Sequence, residues 1–177
     1  ILNYIGFAAT SLLTLKAVDA GFSPERFWEF MPFLIGFFTL FSTATFLYHL
    51  ASKQKATLLE LLFLFLNASV FLAFSVHLVE NTFSREAIAF VTLGLAVFYV
   101  GHIAYFLRKN IEDKGLLLSF MGLSSVFVAI TLPLVLSKGW ITASWATQGF
   151  VMLWIASRMK SEFLRQLAYV LYLIVLV

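Results

Sequence analysis

The sequence has no cysteine. That removes disulfides, thiolate metal sites and cysteine nucleophiles together. Charge is scarce too. Asp, Glu, Lys and Arg make up 12% of the 177 residues, where an ordinary soluble domain has about 25%. The basic residues form no run longer than Arg108–Lys109, and the net charge is only +3. No nucleic-acid partner is expected from such a distribution. No phosphate loop, nucleophile elbow, zinc-protease motif or pair of neighbouring acids stands anywhere in the chain. No catalytic, metal or cofactor set is therefore expected, and a non-enzymatic role is favoured over an enzymatic one.

What fills the chain instead is apolar. Hydrophobic residues reach 62%, with 21 phenylalanines, and the mean hydropathy is +0.96. A soluble fold of this length could not hide so much apolar surface. The bilayer core is about 30 Å thick and takes about 20 helical residues to cross. Within it every backbone polar group must be satisfied internally. The expected fold is all-α: a polytopic transmembrane helix bundle, one domain over 1–177, with about seven spans. These fall at 1–18, 29–50, 58–79, 86–107, 115–136, 141–157 and 163–177. Both ends read as mid-helix, so the expectation is a part of a longer chain.

Several breaks carry helix signals. Ser23-Pro24-Glu25 predicts a helix start with Ser as N-cap and Pro at the first position. A short interfacial helix over 24–31 is expected, then a kink at Pro32. Thr57 and Glu60 form a capping-box pattern. Ser84 reads as an N-cap, with Phe83 placed to staple onto Ile88. Lys138–Gly139 reads as a helix end closed by a left-handed glycine.

Orientation follows from the basic residues. Lys53, Lys55, Arg108, Lys109, Lys114, Arg158, Lys160 and Arg165 fall on one side of the span pattern. Lys16, Arg26, Arg85 and Lys138 fall on the other. The richer side is expected to be cytoplasmic. Trp28 and Trp140 then stand at the outer interface, where aromatic belts form.

Polar residues inside a membrane are functional candidates by default. Gln148 leads them, about mid-depth in the sixth span and near Thr142, Ala143, Ala146, Thr147 and Gly149. Asn67 and Ser69 lie at similar depth in the third. Two readings stand: an interhelical hydrogen bond that fixes packing, or a contact to a substrate or ion. His77 and Glu80, at i and i+3 near the outer end of the third span, form a candidate polar pair. It is either a proton-linked or metal site or a solvated helix end. His49 and His102 sit near inner helix ends. A pair of imidazoles can hold haem iron or a metal, but neither helix adds a second histidine at ligand spacing.

The most specific pattern lies towards the C-terminal end. It runs Leu132-Pro133-Leu134, Gly139-Trp140-Ile141-Thr142, Trp145-Ala146-Thr147-Gln148-Gly149 and Leu153-Trp154-Ile155, then Arg158 and Ser161–Arg165. Over 130–177 this resembles a large bacterial family of multi-pass membrane proteins known as domain of unknown function 2339. Members share the Pro near a helix end, the Trp-Ile-Thr turn, a Trp-Ala-x-Glu-Gly helix and a Ser-x-x-Leu-Arg start. This chain departs from the pattern in carrying Gln148 where Glu is common. If that Glu carries a proton or a cation, this chain lacks the activity or uses a neutral version. The resemblance implies long many-helix chains and supplies no reaction.

The functional expectation is an anchor or assembly platform in the bacterial inner membrane. Its expected partners are membrane lipid and other helices of the same chain or of another membrane subunit. The alternative is a transporter or flippase for a lipid-linked or small amphipathic substrate, with Gln148 and Asn67 lining the path.

Overall fold

The computed structural model describes residues 2–52, 56–109, 111 and 113–176. Among them there is no strand. The order is α1 (Leu2–Gly21), a 3₁₀ turn (Pro24–Arg26), α2 (Phe27–Ser52), α3 (Leu58–Thr82), a second 3₁₀ turn (Arg85–Ala87), α4 (Ile88–Lys109), α5 (Lys114–Val135), α6 (Lys138–Met159) and α7 (Glu162–Leu176). Among the described residues seven α-helices thus stand where seven spans were read. Among the described residues four segments are long and apolar enough to cross a membrane: Pro24–Ala44, Leu58–Thr82, Arg85–Lys109 and Lys114–Val135. The chain divides into two compact units, Ile1–Ile88 and Ala89–Val177.

The starts of the helices differ in how they are capped. Thr57 and Glu60 make the full reciprocal box, with Glu60 Oε2 accepting from the Thr57 N–H at 2.7 Å. Glu60 is therefore spent on the helix start. Asp113 caps α5 by accepting from Leu116 N–H at 3.0 Å, and Ser161 Oγ accepts from Leu164 N–H at 3.3 Å at the start of α7. Ser23 and Ser84 occupy N-cap positions, but neither side chain caps; each opens a 3₁₀ turn instead.

Two local expectations need correction. No separate interfacial helix forms over 24–31: after Arg26 the helix runs unbroken from Phe27, with Pro32 inside it. Pro32, sixth in α2, removes the ladder bond to Trp28 O without ending the helix. Phe83 sets its ring edge-on to Phe27 at 4.9 Å. Gly139 does not close α5. That helix stops at Val135 with Leu136 extended, and Gly139 lies in the first turn of α6 behind Ser137. Pro133 takes away the bond to Ala129 O upstream of it, while the ladder still continues past it to the Leu136 N–H, which donates to Leu132 O at 2.9 Å.

The left-handed residue is instead Lys160, at φ 51°. It closes α6 with a pair of bonds, Ser161 N–H to Ala156 O at 3.0 Å and Lys160 N–H to Ser157 O at 3.4 Å. That is a Schellman closure, which usually has glycine at this position. It lets α7 turn back directly onto α6.

In the first unit, Phe7, Phe41 and Phe63 of α1, α2 and α3 form an aromatic core, with Phe7 edge-on to both partners at 5.4 and 5.0 Å. In the second, α7 is strongly one-sided. Leu164, Ala168 and Leu171 are buried at i, i+4 and i+7, as an amphipathic helix requires, and the first two form one cluster with Met152 and Ala156 of α6. Glycines permit this approach. A Cβ at Gly122 of α5 would lie 2.8 Å from the Phe163 ring, and one at Gly149 of α6 would lie 3.1 Å from Tyr172.

Candidate functional site

The richest polar cluster at membrane depth lies in the second unit, where α5 meets α6. Its origin is a single residue. Pro133 has no N–H, so the carbonyl four residues earlier, Ala129, loses its helical partner. Trp145 of α6 supplies one: its indole Nε1–H donates to Ala129 O at 2.9 Å. One turn away, Gln148 Nε2 donates to Ser125 O at 2.7 Å and to Ser125 Oγ at 2.9 Å. The Ser125 hydroxyl in turn donates to Met152 Sδ. Thus Trp145, Gln148 and Met152 of α6 address two successive turns of α5.

The opposite face of α5 is tied to α4. Thr131 Oγ1 lies 2.8 Å from Thr92 Oγ1 and 2.7 Å from Phe127 O. Ser124 Oγ reaches Ala96 O at 3.4 Å. Tyr99 is fully buried between the rings of Phe127 and Phe120, stacked at 6.0 and 5.9 Å. Interhelical bonds of this kind contribute about 0.6 kcal/mol each in membranes and up to about 2.

Gln148 therefore points at helices and not outward, and its amide nitrogen is spent on α5. Its Oε1 is buried with no hydrogen-bond partner among the described residues. The orientation of the amide follows from Ser125 O, an acceptor that only the NH₂ end can satisfy. Of the small residues around it, Gly149 is buried under Tyr172 while Thr142, Ala143 and Thr147 are exposed.

Asn67 belongs to the first unit. It is buried, and its Nδ2 donates to Phe38 O at 3.1 Å and Ser42 Oγ at 2.8 Å, joining α3 to α2. Ser69 is exposed and bonds its own helix at Phe65 O. His77 and Glu80 are both exposed and are not joined to each other. The His77 ring lies 6.2 Å from Phe22, and its backbone carbonyl accepts from Asn81 Nδ2 at 2.7 Å. Among the described residues no three His, Asp or Glu side chains gather as metal ligands. His102 Nδ1 meets Phe98 O at 2.9 Å, beside the Phe98 and Phe120 rings. The side chain of His49 lies outside the described residues.

Sequence reasoning located Gln148 and Asn67 but missed Trp145 and Ser125. The signal for Trp145 was present: a proline inside an apolar helix always leaves a carbonyl to satisfy at i−4.

A chain whose described residues hold four helical segments able to span a bilayer, with buried amides such as Asn67 bonded from helix to helix, is an integral membrane protein. The chain belongs to the family described as predicted membrane protein, domain of unknown function 2339, whose model matches residues 1–177. The match thus extends well beyond 130–177. No curated protein and no solved structure matches the chain.

Proposed function

We propose that this chain is a non-enzymatic membrane module, an anchor or assembly platform in the inner membrane of a bacterium. The observation that carries the reading is the use of Gln148. The strongest candidate for chemistry at membrane depth donates both of its described bonds to Ser125 of the neighbouring helix. Asn67 does the same between α2 and α3. Both amides act as glue. The partners this role requires are lipid and further membrane helices. Broad apolar side chains suit such partners, among them Phe150, Trp154, Tyr169 and Leu173, each more than half exposed.

A transporter or flippase is the second reading, favoured by the unpartnered Gln148 Oε1. One experiment separates the two. Gln148→Leu is expected to lower thermal stability in detergent and to lower the amount of protein in membranes in parallel with any growth defect. A variant of wild-type stability and abundance that still loses the cellular phenotype overturns the packing role. Density-gradient fractionation tests the location: recovery in outer-membrane fractions refutes it.

A further inference from the structure

In the first unit, α1 and α2 flank a groove of about 340 Å³. Its walls are Leu13 and Ala17 of α1 and Phe30, Phe33 and Phe37 of α2. Thr10 and Thr14 also face it, but their hydroxyls bond to the carbonyls of Gly6 at 2.7 Å and Thr10 at 2.8 Å within α1. They therefore present little polarity to the groove. Charge is confined to one end, where Arg26 Nε donates to Glu29 Oε2 at 2.8 Å. Arg26 Nη1 donates to Gly21 O at 3.0 Å, and the guanidinium lies 5.3 Å from the Phe30 ring centre. These contacts hold the side chain at the end of the groove. A guanidinium has about five N–H donors, so most remain for a ligand, as does Glu29 Oε1. Both side chains are about half exposed or more, at 49% and 63%.

The dimensions match a lipid leaflet. Arg26 to Phe37 is eleven residues of nearly continuous helix, or about 16 Å at 1.5 Å per residue. Half of a hydrocarbon core is about 15 Å. A groove that begins with a charged pair and then stays apolar for that distance has the polarity profile of one phospholipid.

We propose that this groove binds a bilayer phospholipid with an ethanolamine headgroup. The phosphate lies on Arg26, the ammonium on Glu29, and one acyl chain runs along Phe30 and Phe33 to Phe37. A paired acid and base match a zwitterion. A glycerol headgroup satisfies Arg26 but places its anion beside Glu29 with no cation in return. A choline headgroup has no N–H to donate to the carboxylate. The groove lies in the first unit, whereas the packing role rests on Gln148 in the second, so each proposal can fail alone.

The test uses the whole chain, delipidated in detergent and titrated with phosphatidylethanolamine, phosphatidylglycerol or phosphatidylcholine of identical chains, with native mass spectrometry as the readout. One ethanolamine lipid is expected to bind about tenfold more tightly than either of the others, the effect of one hydrogen bond to a charged group. Arg26→Gln should weaken it by a similar factor, and Glu29→Gln should remove the preference over the choline lipid. Ala17→Trp, at an exposed position on the groove wall, should block all three lipids. Leu13→Trp, also exposed, serves if Ala17→Trp or Arg26→Gln does not fold. Equal affinity for the three lipids overturns the proposal. So does unchanged binding in the groove-filling variants, or crosslinking of two copies across Leu13 and Phe33 that excludes lipid.

Discussion

Trp145 Nε1 donates across the helix interface to the carbonyl of Ala129 at 2.9 Å, the group that Pro133 leaves without a helical partner. In water such a carbonyl could be solvated. In lipid it has only the protein, and an unsatisfied group costs several kcal/mol. Proline and tryptophan thus form one device on two helices. The device predicts coupling. Trp145→Phe should destabilise the protein by about 1–2 kcal/mol, because it orphans a part-buried acceptor that lipid cannot satisfy. In a Pro133→Ala background, where an N–H returns to position 133, the same change should cost clearly less. A double-mutant cycle by denaturant unfolding in detergent measures the difference. Additive losses would show that Trp145 acts through packing alone.

Gln148 should behave as helix glue. Gln148→Leu is expected to lower stability by about 0.5–2 kcal/mol, since it leaves Ser125 without its amide donor. Ser125→Ala in the same background should add little, because the two residues share the bond. Stability of Gln148→Leu at or above wild type would refute the packing role.

Gly122 and Gly149 set how closely α7 approaches. Gly149→Leu should overpack Tyr172 and cost about 1–3 kcal/mol, and it should be relieved by Tyr172→Ala. Gly122→Leu should act likewise on Phe163, but less severely, because that ring is 39% exposed and can swing outward. Melting curves of the singles and the compensated pairs decide this; failure of both rescues would mean the helices do not meet at these glycines.

Lys160 occupies a left-handed conformation that disfavours any residue with a Cβ by about 1–2 kcal/mol. Glycine would relieve that strain but lose about 0.5–1 kcal/mol through extra freedom in the unfolded chain. Lys160→Gly should therefore stabilise by about 0.5–1 kcal/mol, and Lys160→Val should destabilise. A loss on glycine substitution would show that the lysine side chain itself supports the turn.

Membrane orientation can be read directly, since the native chain has no cysteine to interfere. Single cysteines at Lys109 and Lys160, both exposed at helix ends, should be protected from an impermeant thiol reagent in intact cells. One at Asn81, at the far end of α3, should react. Reversed labelling would invert the topology, and Lys109 and Lys160 on opposite sides would break the span count.

The sequence by itself determined the class of protein and the run of its helices. Apolar stretches near 20 residues and scarce charge leave only a helical bundle in lipid, and Thr57 with Glu60 marks a helix start through contacts three residues apart. Where signals were local and complete, they could be read. Ser23 and Ser84 had the right residue type at the right place, yet their caps did not form, because a 3₁₀ turn points the early N–H groups elsewhere. Gly139 looked like a helix end, but α5 stops at Val135 and the glycine joined the next helix behind Ser137. Only the tertiary structure decided what the buried amides do. Gln148 is bound to Ser125 and Asn67 to Ser42, pairs 23 and 25 residues apart in the chain. No periodicity encodes which turn of one helix faces which turn of another; that register is set by side-chain packing between residues far apart in the chain.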